Sequence, residues 1–221
     1  MTTYKLAFLG FGNVGRALAE LLLRKKTELK ERYDISFIVT GIATSRHGAL
    51  VNSNGIDLNN ALELVRTGRS LNLITRTLIN DAFDFIRKSG ADVLFENTPV
   101  NHTNGQPAIN HVKTALEAGM HVCTANKGTV VHGYRELRAL AMAKNRKFYF
   151  ESTVMDGAPI FSLFREAIPA VQLKSFKGIL NSTTNIMLTR MESGESFDDA
   201  VRYCQGVGIA ETDPSADVDG W

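Results

Sequence analysis

Residues 6–9 form a short apolar run that ends at Gly10, after which Val14, Leu18, Leu21 and Leu22 recur at helical spacing on one face. This predicts strand, tight turn, helix. A charged stretch over 24–34 follows, then a second apolar, β-branched run over 35–42 that closes on the polar cluster Thr44, Ser45 and Arg46. With a helix between the two runs, a second strand parallel to the first is the simplest account. Asp57 is an N-cap candidate for a helix through Leu58, Leu62 and Val65, stopped by Gly68, and 81–88 reads as another helix. Residues 91–96 have the pattern of a buried strand, followed by a polar loop. Pro107 suits the first turn of a helix carrying Ile109, Val112 and Leu116 to a stop at Gly119. A strand at 121–124, a helix from about 134 to 144 and a strand at 147–150 complete the series.

Strand–helix–strand alternation up to residue 150 predicts an α/β domain with a parallel sheet covered by helices on both faces. Beyond residue 151 the rhythm changes. Residues 152–160 read as a loop, 161–167 as a short helix, 171–180 as one long strand, and 183–191 and 197–204 as helices. A domain boundary is therefore expected near residue 150, giving units 1–150 and 151–221.

Composition removes several alternatives. With 25 Lys and Arg against 23 Asp and Glu, the 221 residues carry a formal charge of +2, which leaves no basic footprint for nucleic acid. No stretch approaches the ~18 apolar residues of a membrane span. Two cysteines, Cys123 and Cys204, make no CxxC pair and fit a reducing compartment. The expectation is a soluble, cytoplasmic protein with a packed core and no membrane or nucleic-acid partner.

The glycine turn, Gly10-Phe11-Gly12-Asn13-Val14-Gly15, fits GxGxxG in the context that gives the motif meaning, after a strand and opening a helix. The first Gly permits the tight turn, the second admits a pyrophosphate close to backbone, and the third lets the helix pack close. Amides at the helix start would hold phosphate oxygens. The alternative is a glycine-rich turn without a ligand. At the end of the second strand, where a carboxylate would bind the adenosine ribose, stand Thr44, Ser45 and Arg46, a set suited to a 2′-phosphate; the competing account is an Arg in a solvated loop. Thr98 follows the 91–96 strand and Lys127 the 121–124 strand, both at the carboxyl edge where open α/β sheets bind ligands. Lys127 there would pair with phosphate or substrate, or donate a proton. Glu211, Asp213, Asp217 and Asp219 crowd the C-terminus as a metal loop, a solvated tail or a socket for an ammonium group. His47, His102, His111, His121 and His132 show no metal-ligand spacing.

Taken together these stretches resemble homoserine dehydrogenase along essentially the whole chain: GFGNVG, the ENTP loop, TANKG over 124–128, ESTVMDGAPI over 151–160, GILNSTTNIML over 178–188 and GVGIAETDPSADVDGW over 206–221. The resemblance implies a Rossmann-type doubly wound sheet followed by an incomplete α+β substrate and dimerisation domain. It also implies NAD(P)H-linked interconversion of L-aspartate 4-semialdehyde and L-homoserine, in threonine and methionine biosynthesis, by a homodimer when full length. Carried over by position, Phe11, Asn13, Val14, Ser45, Arg46, Thr98 and Lys127 line the cofactor site, with NADP expected and NAD as the alternative. Thr183, Gly208, Glu211 and Asp217 face the amino-acid substrate. Glu151, Val154, Asp156 and Ala158 match a structural sodium loop that binds through backbone oxygens. In the family an Asp follows the position of Trp221 directly and a catalytic Lys comes four residues later, so the sequence resembles a truncated member. The alternatives are a catalytically silent NADP-binding fragment or regulatory paralogue, and another Rossmann-fold oxidoreductase.

Overall fold

In β1 (Thr2–Leu9) the buried side chains of Leu6 and Phe8 join one hydrophobic cluster, whereas those of Ala7 and Leu9 join another. Alternate residues point to opposite faces, so a strand buried on both must lie at the centre of a sheet covered on both sides. The computed structural model describes residues 1–74, 77–155, 158–210 and 215–218, in two units, Met1–Thr153 and Val154–Trp221.

In the first unit, β1 is followed by α1 (Asn13–Tyr33), β2 (Ile35–Thr44), β3 (Gly48–Val51), α2 (Leu58–Arg66), a 3-10 turn (Leu71–Ile74) and α3 (Ala82–Ser89). The chain continues through β4 (Val93–Glu96), α4 (Ala108–Glu117), β5 (His121–Thr124), α5 (Lys127–Ala143) and β6 (Phe148–Tyr149). The six strands lie in the order β3-β2-β1-β4-β5-β6, all neighbours parallel except β3, which runs antiparallel to β2. One core gathers Phe85, Leu94, Val112, Leu116, Val122 and Leu137; the other gathers Phe8, Ala19, Ile42, Leu50, Leu62 and Leu71. The doubly wound α/β fold expected from the alternation is present.

Local chemistry sets the helix starts. The Asp57 carboxylate accepts from the N–H groups of Asn59 and Asn60, Asp81 accepts from Asp84, and Asn126 accepts from Gly128.

Several expectations need correction. Helix α5 starts at Lys127, seven residues before the expected 134, because the Asn126 cap and the burial of Gly128, Thr129 and Gly133 outweigh the poor helix propensity of Thr129, Val130 and Val131. Strand β3 was not anticipated; it pairs with β2 as an antiparallel edge, Ile42 opposite Leu50. Strand β6 spans two residues rather than 147–150.

The second unit contains α6 (Ile160–Ser162), which passes into a π-helical stretch (Leu163–Ala167), then α7 (Ser182–Glu192), α8 (Phe197–Gly206) and α9 (Ser215–Val218). Met187 of α7 packs on Ala200 and Cys204 of α8, with Ala210 beside them. The expected strand over 171–180 is irregular, with Val171 58% and Phe176 75% exposed. Among the described residues of this unit no strand offers it a hydrogen-bonding partner, and an isolated strand leaves its backbone groups to water.

Candidate active site

The glycine turn is wedged between neighbouring strand ends. Gly10 donates its N–H to the Ala43 carbonyl of β2 at 2.9 Å, and the Asn97 N–H beyond β4 reaches the Leu9 carbonyl at 2.8 Å. Gly10 has φ +96°, and a Cβ there would lie 2.4 Å from the Asn97 carbonyl oxygen; one at Gly15 would lie 2.5 Å from that of Gly10. A Cβ at Gly12 would meet nothing within 4 Å. These are the three roles the motif requires, with open space where a pyrophosphate would approach. Gly12 caps α1 with no side-chain hydrogen bond, so the first-turn amides of this 21-residue helix are left to a ligand or water.

Around this turn, Asn13 and Val14 are exposed, and the Asn13 Oδ1 accepts from the Arg16 guanidinium at 2.8 Å. The Phe11 side chain is buried against Phe8, edge to face at 5.5 Å, so it offers a ligand only its backbone. Ser45 and Arg46 stand exposed on the turn joining β2 to β3, where the Thr44 Oγ1 accepts from the N–H groups of Arg46 at 3.1 Å and His47 at 2.8 Å.

On the other side of the glycine turn, a fully buried carboxylate organises the next two strand ends. Glu96 accepts from the Thr98 N–H at 3.1 Å, from the Thr98 hydroxyl, and from the Thr124 hydroxyl at 2.9 Å. Behind it, the buried His111 ring approaches to 3.9 Å. Asn126, 1% exposed, donates from Nδ2 to the Thr98 carbonyl at 3.0 Å and to that of Pro99 at 3.2 Å, while its Oδ1 starts α5. Lys127 is therefore held at the first position of α5 with its side chain exposed. A cation at a helix N-terminus faces the positive end of the macrodipole, which costs ~0.3–1 kcal/mol. A structural residue there would gain by being acidic.

Glu96, Thr124, Asn126 and His111 were not singled out from the sequence. One signal for Glu96 was present: it is the only charged residue in an otherwise apolar strand, VLFE. The Arg46 turn, the glycine turn, Thr98 and Lys127 follow four adjacent strands in the order β2, β1, β4, β5, three strand spacings or about 14 Å end to end. That row of phosphate donors, cations and hydroxyls suits an extended nucleotide.

In the second unit, Thr183 is 4% exposed and its hydroxyl donates to the Ile209 carbonyl at 3.4 Å. Asp217 Oδ1 accepts from Asn181 Nδ2 at 2.7 Å, and Gly208, at φ +73°, lies just beyond α8. Glu211 and Asp156 lie outside the described residues, as do Asp213 and Asp219. Of the expected sodium loop, Glu151 opens the 3-10 turn Glu151–Thr153 that closes the first unit, and Val154 begins the second. The Ala158 carbonyl accepts from the Ile160 N–H at 2.8 Å, leaving its other lone pair for a ligand. Among the described residues no three His, Cys, Asp or Glu side chains cluster as a metal site. No helix among the described residues is long and apolar enough to cross a membrane.

Comparison with known proteins agrees with this geometry. The family model described as homoserine dehydrogenase, NAD binding domain, matches residues 10–151, and that described as homoserine dehydrogenase matches 159–221. The chain is 38% identical over its whole length to an NAD(+)-dependent homoserine dehydrogenase of Pseudomonas canavaninivorans, spanning 63% of that protein. It is 38% identical to the homoserine dehydrogenase of Methanocaldococcus jannaschii over 96% of this chain and 63% of that one. Among solved structures, a putative homoserine dehydrogenase from Archaeoglobus fulgidus superposes with a TM-score of 0.82 at 32% identity, over 98% of this chain and 64% of that one. A hyperthermophilic archaeal homoserine dehydrogenase in complex with NADPH gives a TM-score of 0.82 at 32% identity, over 99% of this chain and 66% of that one. With its glycine turn, edge loops and both family segments in register, the chain belongs to the homoserine dehydrogenase family.

Proposed function

We propose that the protein is an NADP-linked oxidoreductase interconverting L-aspartate 4-semialdehyde and L-homoserine, on the route to threonine and methionine. The observation that carries this reading is the junction of the glycine turn with the Arg46 turn through the Gly10 to Ala43 hydrogen bond of 2.9 Å. It sets the glycine turn and its helix start one strand away from the turn that carries the exposed Arg46. The nicotinamide supplies or takes the hydride when the cofactor is bound. In this reading Gly12, Asn13, Val14 and the Phe11 backbone receive the pyrophosphate, and Ser45 and Arg46 meet the 2′-phosphate. Thr98 and Lys127 serve the nicotinamide end, where Lys127 orients cofactor and substrate.

The first 150 residues form the cofactor domain, and 151–221 begin the substrate domain, where Thr183, Gly208, Glu211 and Asp217 recognise the amino acid. A zwitterionic substrate needs acids for its ammonium group and donors for its carboxylate, which this set provides. Backbone oxygens of Glu151, Val154, Asp156 and Ala158 hold a structural sodium ion. The full-length protein works as a cytoplasmic homodimer. NAD is the second reading, since the Pseudomonas relative is named for NAD(+) and a bare ribose meets no obstacle at two exposed side chains.

Titrating the 221-residue chain with NADPH and NADH by nicotinamide fluorescence tests the cofactor assignment. Charge-assisted hydrogen bonds at the 2′-phosphate give NADPH an advantage of about tenfold or more, most of which Arg46→Ala removes. Equal loss of both cofactors in the variant defeats the assignment. A homoserine oxidation assay on the same chain, and on one carrying the further C-terminal length of its relatives, tests the activity. The resemblance puts a general acid beyond Trp221, so the short form is expected at ~10²- to 10⁴-fold lower turnover. Oxidation absent from both forms would leave the silent nucleotide-binding alternative.

A further inference from the structure

The turn that carries Ser45 and Arg46 does not hold itself. Besides the internal Thr44 contacts, it is fastened from a segment more than twenty residues away in sequence. The Leu71 N–H donates to the His47 carbonyl at 2.7 Å, and the Ser70 hydroxyl donates to the same oxygen at 3.2 Å. The Ala49 N–H, on the far side of the turn, donates to Asn72 Oδ1 at 3.1 Å, while the Asn72 N–H donates to the Ser70 Oγ at 3.1 Å. Gly48 has φ +81°, and a Cβ on it would lie 2.3 Å from Asn72 Oδ1, so the amide oxygen occupies the space a side chain would fill. The segment has its own anchor: Leu71 is fully buried in the core cluster that contains Ile42 and Leu50.

From this geometry we infer that Asn72 is a specificity-determining positioning residue, which fixes the β2–β3 turn so that Arg46 and Ser45 are ordered for a nucleotide 2′-phosphate before it arrives. The inference rests on the reading that this turn meets the 2′-phosphate. Its physical basis is preorganisation. Among the described residues no side chain pairs with the Arg46 guanidinium, whose long stem leaves its reach to the backbone that carries it. A turn free to open would have to be ordered on binding, at a cost in affinity for the phosphorylated ribose alone.

The test is a double-mutant cycle on the 221-residue chain, with Asn72→Ala, Arg46→Ala and the double variant titrated with NADPH and NADH and their melting temperatures recorded. Asn72→Ala should weaken NADPH by about 3- to 10-fold, leave NADH unchanged, and have no further effect once Arg46 is gone. Ser70→Ala, which removes one donor to His47, should act in the same direction and more weakly. Loss of both cofactors alike, an Asn72→Ala effect equally large without Arg46, or no effect on NADPH overturns the inference. The last outcome, with Arg46→Ala still abolishing the NADPH preference, defeats the role of Asn72 and spares the cofactor reading. A preference that survives Arg46→Ala defeats both.

Discussion

The Thr124 hydroxyl donates to the buried carboxylate of Glu96 at 2.9 Å and thereby ties the carboxyl end of β5 to that of β4. Because the other carboxylate oxygen takes the Thr98 N–H at 3.1 Å and the Thr98 hydroxyl, one side chain sets the relative height of the two loops that present Thr98 and Lys127. The two loops on this edge are thus joined through one buried acceptor, reinforced by the Asn126 amide that donates to the Thr98 and Pro99 carbonyls.

Glu96→Gln tests that dependence. A glutamine keeps the volume but replaces one acceptor oxygen with a donor, leaving a hydroxyl or the Thr98 N–H without its partner in a site that excludes water. The expected loss is ~1–3 kcal/mol in urea unfolding, together with weaker binding of NADPH and NADH alike. A variant with unchanged stability and unchanged affinity would show that the network only fills space.

The glycine turn makes a sharper contrast between two neighbours. Gly12→Ala adds a methyl group to open space at φ −79°, so the fold should keep its stability while the pyrophosphate loses its approach and both cofactors bind at least about tenfold more weakly. Gly15→Ala drives a Cβ to 2.5 Å from the Gly10 carbonyl oxygen, so it should lower the melting temperature before it touches any ligand. Thermal melts and cofactor titrations of the two variants separate the roles; parallel behaviour of the pair would contradict them.

These residues also mark how far the sequence alone could be followed. The glycine turn and the Asp57 cap act on backbone within a few residues, so their meaning is local and readable. Glu96 draws on Thr124, 28 residues away, and the Arg46 turn is fastened by Asn72; both depend on the sheet bringing distant segments together. The start of α5 was obscured because Thr129, Val130 and Val131 carry a β-type pattern that capping and burial override. Conversely, residues 171–180 have the apolar content of a strand, but among the described residues of their unit nothing supplies the partner a strand requires.

Lys127→Ala should separate function from structure at the other end of the same edge. The exposed ammonium at the first position of α5 gains nothing from the helix dipole, so stability should hold or rise by up to ~1 kcal/mol, while the proposed homoserine oxidation, assayed on the chain carrying the further length of its relatives, falls sharply. A melting temperature lower by many degrees, with activity per folded molecule unchanged, would make Lys127 a structural residue.

At the sheet's far edge, His121 predicts a pH dependence. Its Nδ1 accepts the Lys147 N–H at 3.0 Å, which requires the neutral ring on that side. Burial, then the nearby Arg146, push its pKa below the ordinary 6.5; Asp92 pulls it back up less strongly, and Lys147 adds the smallest downward push. A folded-state value below the unfolded one means that the unfolded chain takes up the proton first. The stabilisation is therefore complete above about pH 6.5 and is lost as pH falls through the depressed folded value. His121→Asn keeps a side-chain acceptor that does not titrate, so the difference in melting temperature between wild type and variant should narrow between pH 7.5 and 5, as only the wild type loses this contribution. Melting curves that stay parallel across that range would mean that the ring's protonation is not coupled to folding at the β5–β6 edge.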